Sequence, residues 1–593
     1  GSDWDPLFAL DHDNVIIKRL HETVDGELQK YAATDGQFNR EAFFNKYPEL
    51  QKLVSHLSDE DIDRLERGGH DPIKIYAAYH AAANHKGRPT VILAQTKKGY
   101  GMGHWGQGKM TSHQQKKLEN DALLAFRDRF SIPLSDEDVE NLRFYIPEAE
   151  SPEMKYLHGQ REKLGGYLPA RVRRAKPITA PRLEEFTKLT GGTGERAQSS
   201  TMVFVQMLSQ LLKNKELGNR VVPIVADEAR TFGMQSLFRQ VAIYSPFGQL
   251  YDPEDRDELL YYKEAKNGQI LEEGITEAGA ISSWIAAATS YSTHGTTMLP
   301  FYIFYSCFGF QRIGDLVWTA GDSRARGFLL GATAGRTTLS GEGLQHEDGS
   351  SHLLFSTVPN CVAYDPTYGY EVVTIIQDGM RRMLEEQNDV FYYVTVMNEN
   401  YPHPAMPDNA SEGIIKGMYR IKEEAKPKAA HAQLLGSGTI LREVLAASEL
   451  LQDDWKVSTD VWSVTSFTEL RRDGLSIDRE SMYNPEVAEK STWVAQCLEA
   501  TKGPVIATTD YMRSVPDLIR TWVPRRYVTL GTDGYGRSDT RKALRDFYEV
   551  DRFHITLATL KALVADGAIE KKTLAKAIQK YGLEGNKPNP WDI

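Results

Sequence analysis

Residues 341–352 read GEGLQHEDGSSH, placing two histidines, three acids and three glycines in twelve positions. Three kinds of chemistry suit that mixture: metal coordination, proton transfer or substrate binding by a lone histidine, or no chemistry at all in a polar surface turn. Zinc sites pair histidines three to five residues apart on a regular element. His346 and His352 are six apart in a segment broken by glycines. A metallohydrolase built on Glu342, His346 and His352 would carry stoichiometric zinc. A single histidine on a loop at the ligand-binding end of a sheet is the stronger expectation.

Glu277 lies in the run ILEEGITEAGAISSWIAAATSYS (270–292), which reads as one helix with Ile275, Ala278, Ile281 and Ile285 around the acid. A carboxyl group in apolar surroundings is costly unless paired or used. The protonated form that burial favours could donate a short hydrogen bond to a ring nitrogen. The alternative is an acid placed favourably at a helix N-terminus. FYIFYSCFGFQR (301–312) holds six aromatic residues and an arginine. They are core packing, or Tyr305, Phe308 and Arg312 share a face that takes a flat heterocycle. KKGYGMGHWGQGKMTSHQQKK (97–117), with five glycines and five lysines, is too glycine-rich for a regular element and has the length of a functional lid or a disordered loop. LLGSGTILREVLAASELL (434–451) reads as strand, turn and helix, but lacks the third glycine of a dinucleotide fingerprint, so Gly436–Gly438 is expected to be a structural turn.

Regular elements must hold these residues in place. Helical patterns are expected over 15–32, 59–66 and 72–83, and TVILAQ (90–95) over a short buried strand. From 200 onward apolar strands at 221–227, 299–306, 328–334, 361–366 and 390–397 alternate with helices. After YPHPAMPDNASEG (401–413) the alternation resumes, with strands at 431–438, 456–464, 504–510 and 527–533. Alternation of this kind predicts parallel sheets covered by helices on both faces, an α/β fold in tandem domains. The intervening 166–199, with its basic run 171–176, reads as a linker.

Composition narrows the function classes. At 593 residues the chain holds several domains. A net charge of −11 argues against general nucleic-acid binding, which needs clustered cations. No stretch approaches the ~20 apolar residues of a membrane helix. Cys307, Cys361 and Cys497 are odd in number and far apart, so they frame no disulfide scaffold and fit a reducing, cytoplasmic setting.

Taken together, ADEARTFGM (226–234), ILEEGITEAG (270–279), FYIFYSCFGFQR, RTTLSGEGLQHEDGSSH (336–352), TSFTELRRDG (465–474) and LGTDGYGRSD (530–539) resemble the homodimeric bacterial pyruvate dehydrogenases, the acetyl-transferring, thiamin-diphosphate-dependent components of the pyruvate dehydrogenase complex. The resemblance runs along essentially the whole chain. It implies a transketolase-like, thiamin-diphosphate-binding fold. Its domains would be the C-terminal part of a diphosphate-binding domain (1–165, with a mobile loop at 97–117), a pyrimidine-binding domain (200–410) and a C-terminal domain (411–593). It implies that Glu277 hydrogen-bonds the aminopyrimidine, that Asp227, Glu228, Tyr305, Phe308 and Arg312 line its pocket, and that His346 faces substrate. Lys98 would stand at the stem of the mobile loop, and His113 would serve acetyl transfer to the lipoyl group of dihydrolipoyl acetyltransferase. Pyruvate is the implied substrate and a homodimer the implied assembly. The family binds Mg²⁺ and diphosphate through a GDG motif and a later paired Asn; neither occurs in this sequence. The expectation is therefore an N-terminally truncated chain holding no metal ligands, either half of a catalytic site or an inert dimeric fragment that only docks on the acyltransferase.

Overall fold

The computed structural model describes residues 3–167, 172–226, 229–486 and 490–593. They fall into two units, 1–167 and 168–593. The first is built of short helices, among them Val15–Glu22, Asp25–Ala33, Gly36–Ala42 and Asp59–Arg64, around a small core of Leu7, Ile16, Phe43, Phe44, Leu50, Val54 and Ile62. The single helix expected over 15–32 is two helices, interrupted where Thr23 and Val24 turn extended. Residues 90–95 are not a strand. A strand is stable through its neighbours, and this unit has no strand among its described residues. Val91 and Leu93 are accordingly 83% and 92% exposed.

Among its described residues the second unit contains two main sheets and two small two-stranded ones. The larger consists of β1 (Val221–Val225), β2 (Leu271–Glu272), β3 (Leu299–Tyr305), β4 (Phe328–Ala332), β5 (Cys361–Tyr364) and β6 (Phe391–Thr395), in the order β2-β1-β3-β4-β6-β5. Every pairing is parallel. The two-residue period of a strand sends Phe301 and Ile303 into one apolar cluster and Tyr302 and Phe304 into another. Helices α1 (Ser200–Leu211) and α5 (Gly369–Met380) cover the first face; α2 (Glu277–Ala288) and α3 (Gly309–Asp322) cover the second. Helix α4 (Ser351–Phe355) follows the loop after β4.

The smaller sheet holds β7 (Met418–Lys422), β8 (His431–Gly436), β9 (Ser458–Val464), β10 (Val505–Thr508) and β11 (Tyr527–Leu530), in the order β7-β9-β8-β10-β11. Only the edge strand β7 is antiparallel. The sequence did not announce β7, because its outer half is exposed and it carries no continuous apolar run. The core cluster that contains Phe301 continues into Leu434 and Val444 of this second sheet and its helix.

The latter part of the expected linker is pinned to the larger domain: Val172 N–H donates to Ser292 O (3.2 Å), Ile178 N–H to Leu384 O (3.2 Å), and Ala180 N–H to Glu385 Oε1 (2.8 Å). These bonds, with Ala175 N–H donating to Gln387 Oε1 at 2.9 Å, hold the segment down. The expected helix over 270–292 begins only at Glu277. Gly274, at φ +80, turns the chain after β2, and Thr276 caps the helix by accepting from Gly279 N–H.

Candidate active site

In a parallel sheet ligands collect beyond the carboxyl ends of the strands. Glu277 follows β2, Tyr305 ends β3, Phe308 and Arg312 follow it, and Glu342 and His346 lie on the loop after β4. Residues far apart in sequence thus share one row of strand ends. Asp227 and Glu228, which follow β1, lie outside the described residues.

The row is continuous. Arg312 Nη1 donates to Glu277 Oε1 at 2.7 Å. The guanidinium lies 3.9 Å from the Phe308 ring centre. Phe308 stands edge-on to Tyr305 (5.7 Å, 67°) and to His346 (5.2 Å, 70°). Tyr305 and His346 stack nearly parallel at 5.0 Å and 9°. His346 Nδ1 lies 3.1 Å from Glu342 Oε2. A carboxylate only accepts, so Nδ1 carries a proton, and in the neutral ring Nε2 is the acceptor. Phe232 packs on Tyr305 at 5.4 Å; it sits in ADEARTFGM, but nothing in its own spacing marks it.

Glu277 is the first residue of its helix, so both earlier readings meet there. It has the favourable position of an acid at a helix N-terminus, and its side chain is largely shielded, at 14% exposure. The apolar surround is thinner than expected. Ile281 is buried, but Ile275 precedes the helix and is 74% exposed.

The two-histidine metal reading fails on geometry. His352 opens α4, whose N-terminus is held by Asp348 accepting from Ser350 and Ser351 N–H. That turn sends the His352 ring into the interior, with Nε2 3.1 Å from Thr395 Oγ1 and the ring edge-on to Tyr511 at 4.7 Å. Burial pushes its pKa down to about 4. Among the described residues the one grouping close enough to share an ion is Asp546, Asp551 and His554, not Glu342, His346 and His352. Neighbouring groups are also tuned by burial. The Cys307 thiol, which donates to Gln345 O at 2.9 Å, is pushed up to about 12, and the Glu347 carboxyl to about 7.

Lys98 and His113 belong to the first unit, and both are exposed. The loop's stem is closed by Gly108 N–H donating to Lys98 O at 2.8 Å, and His113 sits in the single turn Met110–Gln114. The lysine turned inward is Lys97, whose backbone N–H donates to His70 Nε2 at 2.6 Å. Burial lowers the pKa of its ammonium.

Comparisons with known proteins bear on family and fold. Residues 179–404 match the model for the pyruvate dehydrogenase E1 component middle domain, and residues 417–551 that for the transketolase-like C-terminal domain. The pyruvate dehydrogenase E1 component of Pseudomonas aeruginosa is 59% identical over the whole chain, which covers 67% of that protein. The Escherichia coli K12 component is 51% identical, with 66% of its length covered. The chain thus spans about two thirds of the length of these relatives. The transketolase of Campylobacter jejuni superposes with a TM-score of 0.56 over 83% of this chain and 66% of its own, at 15% identity, which shows a shared transketolase-like fold. The chain belongs to the pyruvate dehydrogenase E1 component family.

Proposed function

We propose that the row of strand-end residues is the pyrimidine-side wall of a thiamin-diphosphate site. The chain would contribute it to the decarboxylation of pyruvate and transfer of the acetyl group to a lipoyl arm of dihydrolipoyl acetyltransferase. One observation carries the reading: the unbroken sequence Glu277, Arg312, Phe308, Tyr305, His346 sets an aromatic wall between a carboxylate and an imidazole. Flat rings to stack on and a carboxyl group to meet a ring nitrogen suit a polar heterocycle.

When bound, thiamin diphosphate supplies the nucleophile and the electron sink for decarboxylation. The protein's part is orientation and proton handling. Glu277 would meet a ring nitrogen of the cofactor through its carboxyl group, whose direction is fixed by Arg312 donating to Oε1. Glu342 sets the tautomer of His346, so that Nε2 takes or gives the proton near substrate. By family resemblance Lys98 belongs to the stem of the mobile loop and His113 to acetyl transfer. The inferred partners are a second copy of the chain and the acyltransferase, in the cytoplasm. The sequence contains no GDG and no paired Asn, so its residues do not fit the family's Mg²⁺ and diphosphate site, and no step is assigned to that metal.

Titration of the chain with thiamin diphosphate and Mg²⁺, followed by calorimetry and by the His346 ring resonance, tests the proposal. The expected result is binding that moves the His346 signal and disappears in Tyr305→Ala. Micromolar binding with CO₂ release from pyruvate would show that the chain also provides the diphosphate side. No heat and an unmoved His346 would sink the wall assignment and leave docking alone.

A further inference from the structure

The loop that carries His346 is tied along its length to the C-terminal domain. At its start Arg336 N–H donates to Asp510 O (3.2 Å), and the Arg336 guanidinium donates to Thr532 O (2.6 Å) and to Gly534 O. At its end Gly349 O accepts from Met512 N–H at 2.9 Å. Between these ties the chain has no regular structure beyond the single turn Leu344–His346. Such a segment keeps its backbone freedom unless something outside holds it.

One side chain beside His346 does so. Glu347 is only 6% exposed, and its Oε2 accepts from the Arg537 backbone N–H at 2.5 Å. A buried carboxyl oxygen that meets a backbone N–H satisfies two polar groups at once, and leaving either unpaired would be costly. The opposing backbone is shaped for it. A methyl group at Gly536 would run into Leu344 O and stand 3.1 Å from Glu347 Cβ, so only glycine lets the two loops approach this closely.

We propose that Glu347 is the positioning residue for His346: its bond from the Arg537 N–H lets the C-terminal domain set where the His346 ring sits above the strand ends. The proposal rests on the assignment of His346 to the site made above. Glu347 touches neither substrate nor cofactor in this account. It acts by fixing the end of the turn, where Glu347 N–H also donates to Leu344 O at 3.3 Å.

Hydrogen exchange over 341–349 and the His346 ring resonance, both read on the 593-residue chain, test it. Glu347→Ala is expected to speed exchange of these amides by about tenfold, the loss of one buried hydrogen bond, and to move the His346 signal, while β1 and β3 keep their protection. Glu347→Gln retains a carbonyl acceptor for the Arg537 N–H and should restore both readouts toward the parent. Gly536→Ala, which leaves Glu347 in place but pushes the loops apart, should reproduce the Ala phenotype, and it decides the question if Glu347→Ala does not fold. Parent-like exchange and resonance in Glu347→Ala, or in Gly536→Ala if that variant must decide, would overturn the proposal, as would a Gln variant as loose as Ala. None of these readouts requires turnover. If the chain binds no thiamin diphosphate, the functional assignment fails while the loop brace is still measured.

Discussion

The two ring nitrogens of His346 face different surroundings: Nδ1 meets Glu342 Oε2 at 3.1 Å, whereas no side-chain partner is assigned to Nε2 among the described residues. Because the acid lies four residues before the histidine on a glycine-bearing loop, this pairing could be guessed from spacing, yet spacing alone also allowed a metal site. What decided between them was the direction of His352, which depends on a short helix whose start is held by Asp348 accepting from Ser350 and Ser351 N–H. The pairing leads to a prediction that needs no ligand. In Glu342→Ala the neutral His346 ring should lose its preference for the Nδ1–H form and revert to the mixture of tautomers of a free imidazole. Nitrogen-15 shifts of the labelled ring read this directly. An unchanged tautomer ratio would show that something other than Glu342 holds the proton at Nδ1.

At the scale of elements, the glycine turn at 436–438 shows why some motifs were legible only in part. Failure of the dinucleotide pattern correctly indicated a structural turn, but not what the turn is for. Gly438 adopts φ +50, and a methyl group there would lie 2.6 Å from Met397 Cε and 2.8 Å from Asp365 Oδ2, both in the neighbouring domain. The turn is where the two sheets' domains meet, with Gly438 N–H donating to Asp365 O at 3.2 Å. Gly438→Ala should therefore cost about 2 kcal/mol or more from backbone strain and crowding together. A urea midpoint equal to the parent's would show that the interface yields. The same logic separates the elements the sequence revealed from those it hid. Buried parallel strands such as LPFYIFY announce themselves by continuous apolar runs, since both faces are covered. TVILAQ looks the same on paper, but lacks neighbours here. The start of α2 was obscured because Gly274 interrupts a run that otherwise keeps helical composition.

At the scale of the whole molecule, several acids are buried where the larger domain meets the C-terminal one, and together they make stability depend on pH. Burial pushes the carboxyls of Asp365 and Glu347 up to about 7 and raises that of Asp510. A carboxyl whose pKa is higher folded than unfolded binds its proton more tightly in the folded state. Its contribution is full below the unfolded value, near 4, and is lost as pH rises to about 7. His352 works in the opposite sense: with its pKa pushed down to about 4, it favours folding above the ordinary histidine value, and that help is lost as pH falls. Measured on the parent alone, these slopes partly cancel. The difference between parent and variant isolates one of them. Asp365→Asn keeps the Oδ1 acceptor that the Tyr511 and Thr395 hydroxyls donate to, at 3.4 and 2.7 Å, but puts an amide NH₂ where Oδ2 is buried without a hydrogen-bond partner, so it should destabilise the protein at pH 5. The deficit should shrink by on the order of 1 kcal/mol per pH unit up to about pH 7, because the asparagine has no proton to lose inside the interface. Urea unfolding of both proteins at pH 5, 6 and about 7.5 measures the gap. A gap that stays constant across that range would mean that Asp365 is already ionised in the folded protein at pH 5, and that the junction between the domains tolerates its charge.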